Sequence, residues 1–319
     1  MSDATKARDA TRALVVPPEM RRIARRGARG DGLAALGFLS PLAVGVLVFI
    51  AVPAGLSIVM SLFDVGLGGA TFVGLANYQR MLGDPLFWSS LGVTLIYAAV
   101  FVPALTVASL SLALLVHTEY AGVGLWRALL LAPNAVSLVA TALVWRFLLA
   151  DGNGTIANIA GALGLPVPSW LGEPGWALTT VIGISVWSFM GFYMLVMVGG
   201  RQDIPAELYE AARIDGASAP QQFWRITLPM MRPTIFFVVL MGTVIGLTGL
   251  QSFDLVFVMT KGGPANATSL TIYYIYQQAF QYGQFGYAAA MSTVLTVLMF
   301  VTAAVFFRTT NSGRFDVEE

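Results

Sequence analysis

The segment ELYEAARIDGASAPQQFWRITLP, residues 207–229, is a polar stretch in an otherwise apolar chain. The 319-residue sequence is 57% hydrophobic and only 11% charged, and its mean hydropathy is +0.75. Soluble domains have about a quarter of their residues charged, so this composition indicates an integral membrane protein. In such a protein, we expect a polar segment of this length to form a water-exposed hairpin between two membrane spans.

The hairpin contains the sequence signals of two short helices. Asp203 is a candidate N-cap, and Pro205 falls in the first turn that would follow it. Gly216 is expected to end the first helix in the left-handed conformation. Ser218 can then cap a second helix, which Pro229 is expected to end. The pattern therefore predicts a compact pair of helices.

One face of the first predicted helix is nearly smooth. The small side chains of Ala211 and Ala212 would let another protein approach the helix backbone closely. Glu207 and Glu210 near the start of the helix and Arg213 near its end suit the helix dipole. The hairpin is thus expected to be either a rigid docking element or a connector that lies among lipid headgroups, and the residues alone leave both interpretations open.

The rest of the chain contains six apolar stretches that are long enough to cross a bilayer, since a spanning helix needs about 20 apolar residues. They are continuous rather than alternating, which argues against spanning strands. We predict an all-α polytopic membrane protein with a transmembrane domain over residues 33–308, a basic tail over 1–32 and a short tail over 309–319. The hairpin loop lies over 203–232, between the fourth and fifth spans. The predicted spans are 33–63, 90–116, 125–150, 176–199, 234–260 and 285–307.

Basic residues are concentrated on one side of the predicted bilayer. Of the 18 basic residues, all but Arg80, Arg146 and Lys261 fall at the side that carries the amino terminus. The positive-inside rule therefore predicts that both termini and the hairpin are cytoplasmic. Residues 17–30 could form a basic helix on anionic lipid headgroups, or they could be an unstructured tail.

Several classes of function are excluded by residues that the sequence lacks. There is no cysteine, which excludes disulfides and thiolate metal sites, and the single histidine, His117, cannot form a multi-histidine site. No G-x-x-x-x-G-K-[ST] phosphate loop is present, so the chain should not hydrolyse ATP by itself. We expect neither a catalytic residue, nor a metal, nor a cofactor in this chain.

The hairpin resembles a known signature. Its Glu210-Ala211-Ala212 followed by Gly216, Ile226 and Leu228-Pro229 is similar in spacing to the EAA motif of ABC importer membrane subunits. The resemblance extends over about residues 35–308 and is to the sugar permease branch, of the maltose and glycerol-3-phosphate transporter type. The further stretches that carry it are FVGLANY (72–78), DPLFWSSLGVT (84–94), LLLAPNAV (129–136) and MTKGGPANATSLTIYYIYQQAF (259–280).

This resemblance implies a permease in a bacterial cell membrane that works only in a complex. In the family, the hairpin is a coupling helix that enters a cleft on a separate ATPase. The implied partners are a second homologous permease subunit, two ATP-binding-cassette subunits that carry ATP and Mg, an extracytoplasmic solute-binding protein, a carbohydrate cargo and membrane lipid, but no nucleic acid. The implied coupling residues are Leu208, Glu210, Ala211, Ala212, Arg213, Asp215, Gly216, Ile226, Leu228 and Pro229.

Polar residues inside the spans are candidates for cargo contact, because polar groups in the bilayer are costly and tend to face cavities. We nominate Asn134, Gln251 and Asp254, although Asp254 could instead pair with Arg146 or meet water. Aromatic faces for a sugar could come from Phe253, Trp145 and Trp187. Alternatives that remain open are an importer of glycerol-3-phosphate, glycerophosphodiesters or another polar solute, and an ATP-independent channel.

Overall fold

The computed structural model divides into two units, which meet in sequence between Val59 and Met60. The basic tail, with the helix considered for residues 17–30, lies outside the described residues, and so do the last ten residues. The described stretches are 37–66, 69–118, 121–152, 154–249 and 251–309.

The first unit is formed by helix α1 (Gly37–Met60), which is long and apolar enough to cross a membrane. It contains a π-helical turn at Leu47–Ala51, shortly before Pro53. A second π-helical turn, at Phe223–Thr227, likewise precedes Pro229. A proline ring clashes with the carbonyl four residues earlier, and the wider π-turn relieves that clash without ending the helix.

The second unit begins with a short β-hairpin that the sequence analysis did not predict. Strand β1 (Phe63–Gly66) pairs antiparallel with β2 (Gly69–Phe72), and Phe63 lies opposite Phe72. Helix α2 (Ala76–Leu82) follows. The side-chain amide of Asn77 donates hydrogen bonds to the carbonyls of Ser61 and Phe63, so α2 is fixed to the β-hairpin.

The core of the second unit is built around α3 (Pro85–Val116) and α7 (Pro174–Gln202), which pack against each other along much of their length. Helix α10 (Arg232–Thr248) packs on α3, where a Cβ at Gly246 would lie 3.1 Å from the Cβ of Ala98. Small residues permit this close approach of two helices. The fully buried side chains at this junction include Tyr97, Phe101, Leu105, Met194, Met197 and Val238.

The third predicted span is not one straight helix. Helices α4 (Val123–Ala135) and α5 (Leu138–Leu148) meet at an angle of 94°. The chain leaves the helical conformation at Val136 and Ser137, three residues after Pro133. A hydropathy pattern over 125–150 cannot reveal this bend, because both helices are equally apolar. The loop that follows contains helix α6 (Thr155–Ala162).

The fifth predicted span is also interrupted. Helix α9 (Ala219–Met230) runs through Pro229 rather than ending at it, and it joins α10 at a bend of 65°. Helix α10 then ends at Gly249, whose φ is +60°, and the chain resumes as α11 (253–260). The expectation of a continuous helix over 234–260 was therefore wrong, because a left-handed glycine breaks it.

The carboxyl-terminal part consists of α12 (271–281), which packs on α3, and the long helix α13 (Phe285–Thr309). Within the described residues, four helices are long and apolar enough to span a membrane, or up to six if each bent pair counts as one span. The prediction of a helical, polytopic membrane fold is confirmed, with one short β-hairpin added.

Candidate coupling hairpin and translocation path

The tip of the hairpin is held by main-chain hydrogen bonds around Gly216. Helix α8 (Ala206–Ile214) ends there with a φ of +77° at the glycine, as predicted. The N–H of Ala217 donates to the carbonyl of Ala212 at 2.8 Å, and that of Gly216 donates to the carbonyl of Arg213 at 3.1 Å. This is the Schellman arrangement, which satisfies the free carbonyls at the end of a helix.

The first hairpin helix does not begin as the sequence predicted, whereas the second does. Asp203, expected as the N-cap of the first helix, is instead the C-cap residue directly after α7. Pro205 occupies the N-cap position of α8. Ser218 begins α9 as expected, and the side-chain oxygen of Gln221 accepts a hydrogen bond from the Ser218 N–H at 2.7 Å. The Asp203 prediction was wrong because α7 extends through Gln202.

The outer face of α8 carries most of the residues nominated for coupling. Leu208, Ala211 and Asp215 follow at intervals of three and four residues, so they share one face of the helix, and all three are exposed. Glu210, Arg213 and Gly216 are exposed as well. The other nominated residues are partly buried: Ala212, Ile226, Leu228 and Pro229. Ile226 packs against the hydrophobic core, so its contribution is to seat the hairpin rather than to meet a partner.

Two apolar residues on this surface were missed by the sequence analysis. Ile214 is 87% exposed and Trp224 is 65% exposed. Large apolar side chains exposed on an otherwise polar hairpin are typical of a protein contact surface. Ile214 lies four residues after Glu210 and therefore on the same exposed side of α8. This spacing in the sequence could have identified Ile214 as a contact residue.

The inner face of α8 is anchored through Tyr209. Its hydroxyl hydrogen-bonds to the Thr227 hydroxyl at 2.8 Å, which joins α8 to α9 across the turn. The guanidinium carbon of Arg201, at the end of α7, lies 4.1 Å from the centre of the Tyr209 ring. Cation–π contacts of this kind contribute about 0.5–2 kcal/mol. The hairpin is therefore tied to both neighbouring helices through a single side chain.

A second group of polar residues surrounds the break after Gly249. The buried Ser252 hydroxyl bonds to the hydroxyl of Tyr97, which fixes the start of α11 to α3. The hydroxyl of Thr94 accepts a hydrogen bond from the Thr271 N–H at 2.8 Å and thereby fixes the start of α12 to the same helix. These long-range pairs were not nominated from the sequence, because each partner is distant in the chain.

The three nominated cargo residues lie near two of the helix interruptions. Gln251 is exposed directly after the break, and Asp254 is half-buried in α11. Asn134 is exposed at the end of α4, and α5, beyond the bend, packs on α11. Arg146 donates to the carbonyl of Val258 at 3.1 Å, and no ion pair between Arg146 and Asp254 occurs among the described residues.

Aromatic rings line the same region. Phe253 stacks on Phe257 with ring centres 5.5 Å apart, and Tyr276 of α12 lies edge-on to both. Trp145 and Trp187 meet edge to face at 5.6 Å. Phe257 is 38% exposed, so part of this aromatic surface is accessible. Exposed ring faces beside amide and carboxylate groups suit the alternating apolar and polar surfaces of a sugar ring.

The carboxylate of Asp84 fixes the start of α3 to the carboxyl-terminal helices. It accepts hydrogen bonds from the hydroxyls of Tyr274 at 2.7 Å and Tyr287 at 2.6 Å, and from the Leu86 N–H at 2.9 Å. Burial alone would raise the pKa of Asp84, but these hydrogen bonds favour the charged carboxylate, and the pKa is lowered on balance. This cluster holds the second unit together outside the spans.

A family model matches the chain over residues 124–310, a range that includes the hairpin, the break after Gly249 and the last span. Its description is "Binding-protein-dependent transport system inner membrane component". The chain belongs to this family. It is therefore a multi-pass inner-membrane component of a transport system that depends on a binding protein, and it is a transport subunit.

Relatives match the chain along most of its length. One is the sulfoquinovosyl glycerol transport system permease protein SmoG of Agrobacterium fabrum, which is 32% identical over 88% of this chain and 91% of its own. Another is the trehalose/maltose transport system permease protein MalF of Thermococcus litoralis, which is 35% identical over 88% of this chain and 95% of its own. The resemblance inferred from the hairpin is thus confirmed across the chain.

A solved structure shares the fold of this permease. It is a bacterial alginate ABC transporter in complex with an alginate pentasaccharide-bound periplasmic protein, and one of its chains superposes with a TM-score of 0.77. The alignment covers 89% of this chain and 96% of that chain, at 20% sequence identity. The fold of this permease is accordingly that of an ABC importer permease.

Proposed function

We propose that this permease is the membrane subunit of an ATP-driven importer, and that it moves a carbohydrate or a related glycoside delivered by an extracytoplasmic binding protein. The two relatives described above carry sulfoquinovosyl glycerol, trehalose or maltose in their names, and these are all sugar derivatives. The mixed aromatic and amide surface around Gln251 supports the same class of cargo.

The observation that carries the coupling part of this proposal is the form of the hairpin. Its exposed face presents small, charged and apolar side chains together, while its inner face is fixed to α7 and α9 through Tyr209. A partner that pushes on this face would therefore move the spans rather than deform a loop. We propose that two ATPase subunits, which bind ATP and Mg, supply that push, one of them on this chain and one on a homologous permease subunit.

A phosphate ester is disfavoured as the cargo. Within the spans predicted from the sequence, the cations are Arg127 and Arg146, and both donate to main-chain carbonyls, of Val116 and Val258 respectively. Each guanidinium already uses donors within the chain, which disfavours it as the main site for a phosphate inside the bilayer. A hydroxylated, neutral solute needs only amide, carboxylate and aromatic groups, which the region beside the break provides.

The coupling role can be tested with Glu210→Lys in the reconstituted transporter. We expect the variant to insert normally but to lose cargo-stimulated ATP hydrolysis, because the charge is reversed on the exposed coupling face. Glu207→Lys is the matched control, since it makes the same change one turn earlier on α8 and outside the nominated contact set. Equal stimulation in Glu210→Lys and the unmodified protein would contradict the proposal.

A further inference from the structure

A cavity of about 430 Å³ opens beside the hairpin, where α3 and α7 end. The described residues that line it include Arg201, Arg213 and His117, and none of them is an aspartate or a glutamate. Basic side chains gathered in a concave site, with no carboxylate in the part of its lining that the structure describes, create a positive potential that attracts anions. The positive-inside prediction explains basic residues on this face, but it does not explain their convergence on a cavity.

The two arginines are positioned by the same tyrosine. The guanidinium of Arg201 stacks on the ring of Tyr209, and the Nε of Arg213 donates to the Tyr209 carbonyl at 3.3 Å. The Arg201 Nε is buried and has no hydrogen-bond partner among the described residues. His117 donates from its Nδ1 to the Leu114 carbonyl at 2.7 Å, so it forms part of the wall and is not one of the donors for an anion. The site is therefore arranged before any ligand binds, and it retains unused donors.

We propose that this cavity binds a phosphate group, carried either by the headgroup of an anionic phospholipid or by a free phosphate. A guanidinium presents paired N–H donors that match two phosphate oxygens, and two guanidiniums suit the charge of a phosphate. The cavity lies at the ends of two spans, which is the depth at which lipid headgroups meet the protein. Its volume exceeds that of a phosphate alone and leaves room for the rest of a headgroup.

A ligand bound in this cavity would contact two different helices. Arg201 belongs to the end of α7, whereas Tyr209 and Arg213 belong to the coupling helix α8. A phosphate held by both arginines would therefore connect a span to the hairpin. This inference is independent of the cargo, because the site lies outside the translocation path around Gln251.

The test uses the full-length protein, with the subunits that co-purify, in a neutral detergent. A fluorescent short-chain phosphatidylglycerol is titrated, and we expect Arg201→Gln to weaken its binding by roughly tenfold or more through the loss of a charge-assisted hydrogen bond. Arg225→Gln is the matched control, because it removes the same charge from an exposed position on the same hairpin that does not line the cavity. Its binding is expected to stay within about twofold of the unmodified protein.

A second pair of variants covers the case in which Arg201→Gln does not fold. Arg201→Lys keeps the charge but loses the planar, paired donors, so it should weaken binding several-fold, whereas Arg225→Lys should not. Inorganic phosphate is then added as a competitor. Displacement of the lipid shows that the phosphate group alone is recognised, so free phosphate can occupy the site. No displacement shows that the site requires the rest of the lipid headgroup. Equal weakening by the changes at Arg201 and Arg225, or equally tight binding of a phosphatidylcholine probe, would overturn the proposal.

Discussion

Substitution of Gly216 gives the sharpest test of how the hairpin works. At this position the cost of the backbone conformation can be separated from the cost of a steric clash within the chain. The φ of Gly216 is +77°, a conformation that L-residues adopt at a cost. Apart from its two chain neighbours, a Cβ built at this glycine would meet no atom of the described residues within 4 Å. Any effect of Gly216→Ala must therefore come from the backbone or from a partner, and not from a clash within this permease.

The expected magnitude follows from the left-handed conformation. That conformation costs an alanine roughly 1–2 kcal/mol, which corresponds to about a 5–30-fold loss in the population of the native hairpin tip. Asparagine tolerates positive φ, so Gly216→Asn should cost less, and the β-branched Gly216→Val should cost more. Gly199→Ala is the control, since Gly199 lies within α7 without a positive φ and its added Cβ also meets nothing within 4 Å.

The assay is cargo-stimulated ATP hydrolysis in the reconstituted complex, measured beside the amount of ATPase subunit that stays bound. We expect activity to fall in the order asparagine, alanine, valine at position 216, and to be unchanged for Gly199→Ala. If Gly216→Asn lowers the activity more than Gly216→Ala, then the size of the side chain, and not backbone strain, determines the activity. That result would mean that the partner approaches Gly216 closely. If valine retains full stimulation and full ATPase binding, the conformational reasoning is refuted.

Three further substitutions test other parts of the structure. Gly191→Ala should destabilise the protein by about 1–3 kcal/mol or more, because its Cβ would collide with a main-chain carbonyl of α4, whereas Gly183→Ala in the same helix should be neutral in a thermal unfolding assay. Asp84→Asn should lower stability by about 1–3 kcal/mol. Because the pKa of Asp84 is lowered in the folded protein, its contribution to stability is complete above the ordinary carboxyl pKa and is lost as the pH falls through the lowered value. The acid unfolding curves of the unmodified protein and of Asp84→Asn should therefore converge at low pH. Gln251→Ala should raise the KM for cargo uptake several-fold while leaving binding of the ATPase subunit unchanged, and an unaltered KM would remove Gln251 from the path.

The hairpin was predictable from the sequence because its determinants are local. The left-handed turn at Gly216 and the start of α9 at Ser218 depend on residues within a few positions of each other. The prediction at Asp203 was wrong because the end of α7 depends on its packing in the bundle, and the local pattern did not contain that information. The apolar stretches that predicted the spans are also local features of the sequence, and helices occur in each of them.

The bends and the polar junctions could not be predicted, because they depend on distant parts of the chain. The 94° bend between α4 and α5 joins two helices of similar hydropathy, so the sequence resembles one span. Tyr97 and Ser252 are 155 residues apart, and Asp84 and Tyr287 are 203 apart. Nothing in the composition around either partner identifies the other. Such pairs are visible only once the fold has brought the helices together.

The connections in the structure explain how force on the hairpin can reach the candidate cargo region. Tyr209 joins α8 to Thr227 and to Arg201, so a displaced hairpin must carry the ends of both α7 and α9 with it. Helix α9 continues through a fixed bend into α10, whose interior contains no left-handed residue. The first residue beyond the bend in the left-handed conformation is Gly249, and Gln251 is exposed two residues later. Hinges in transport proteins lie at a few residues at the ends of helices, so the end of α10 at Gly249, beside exposed polar groups, is the position at which we expect a hinge.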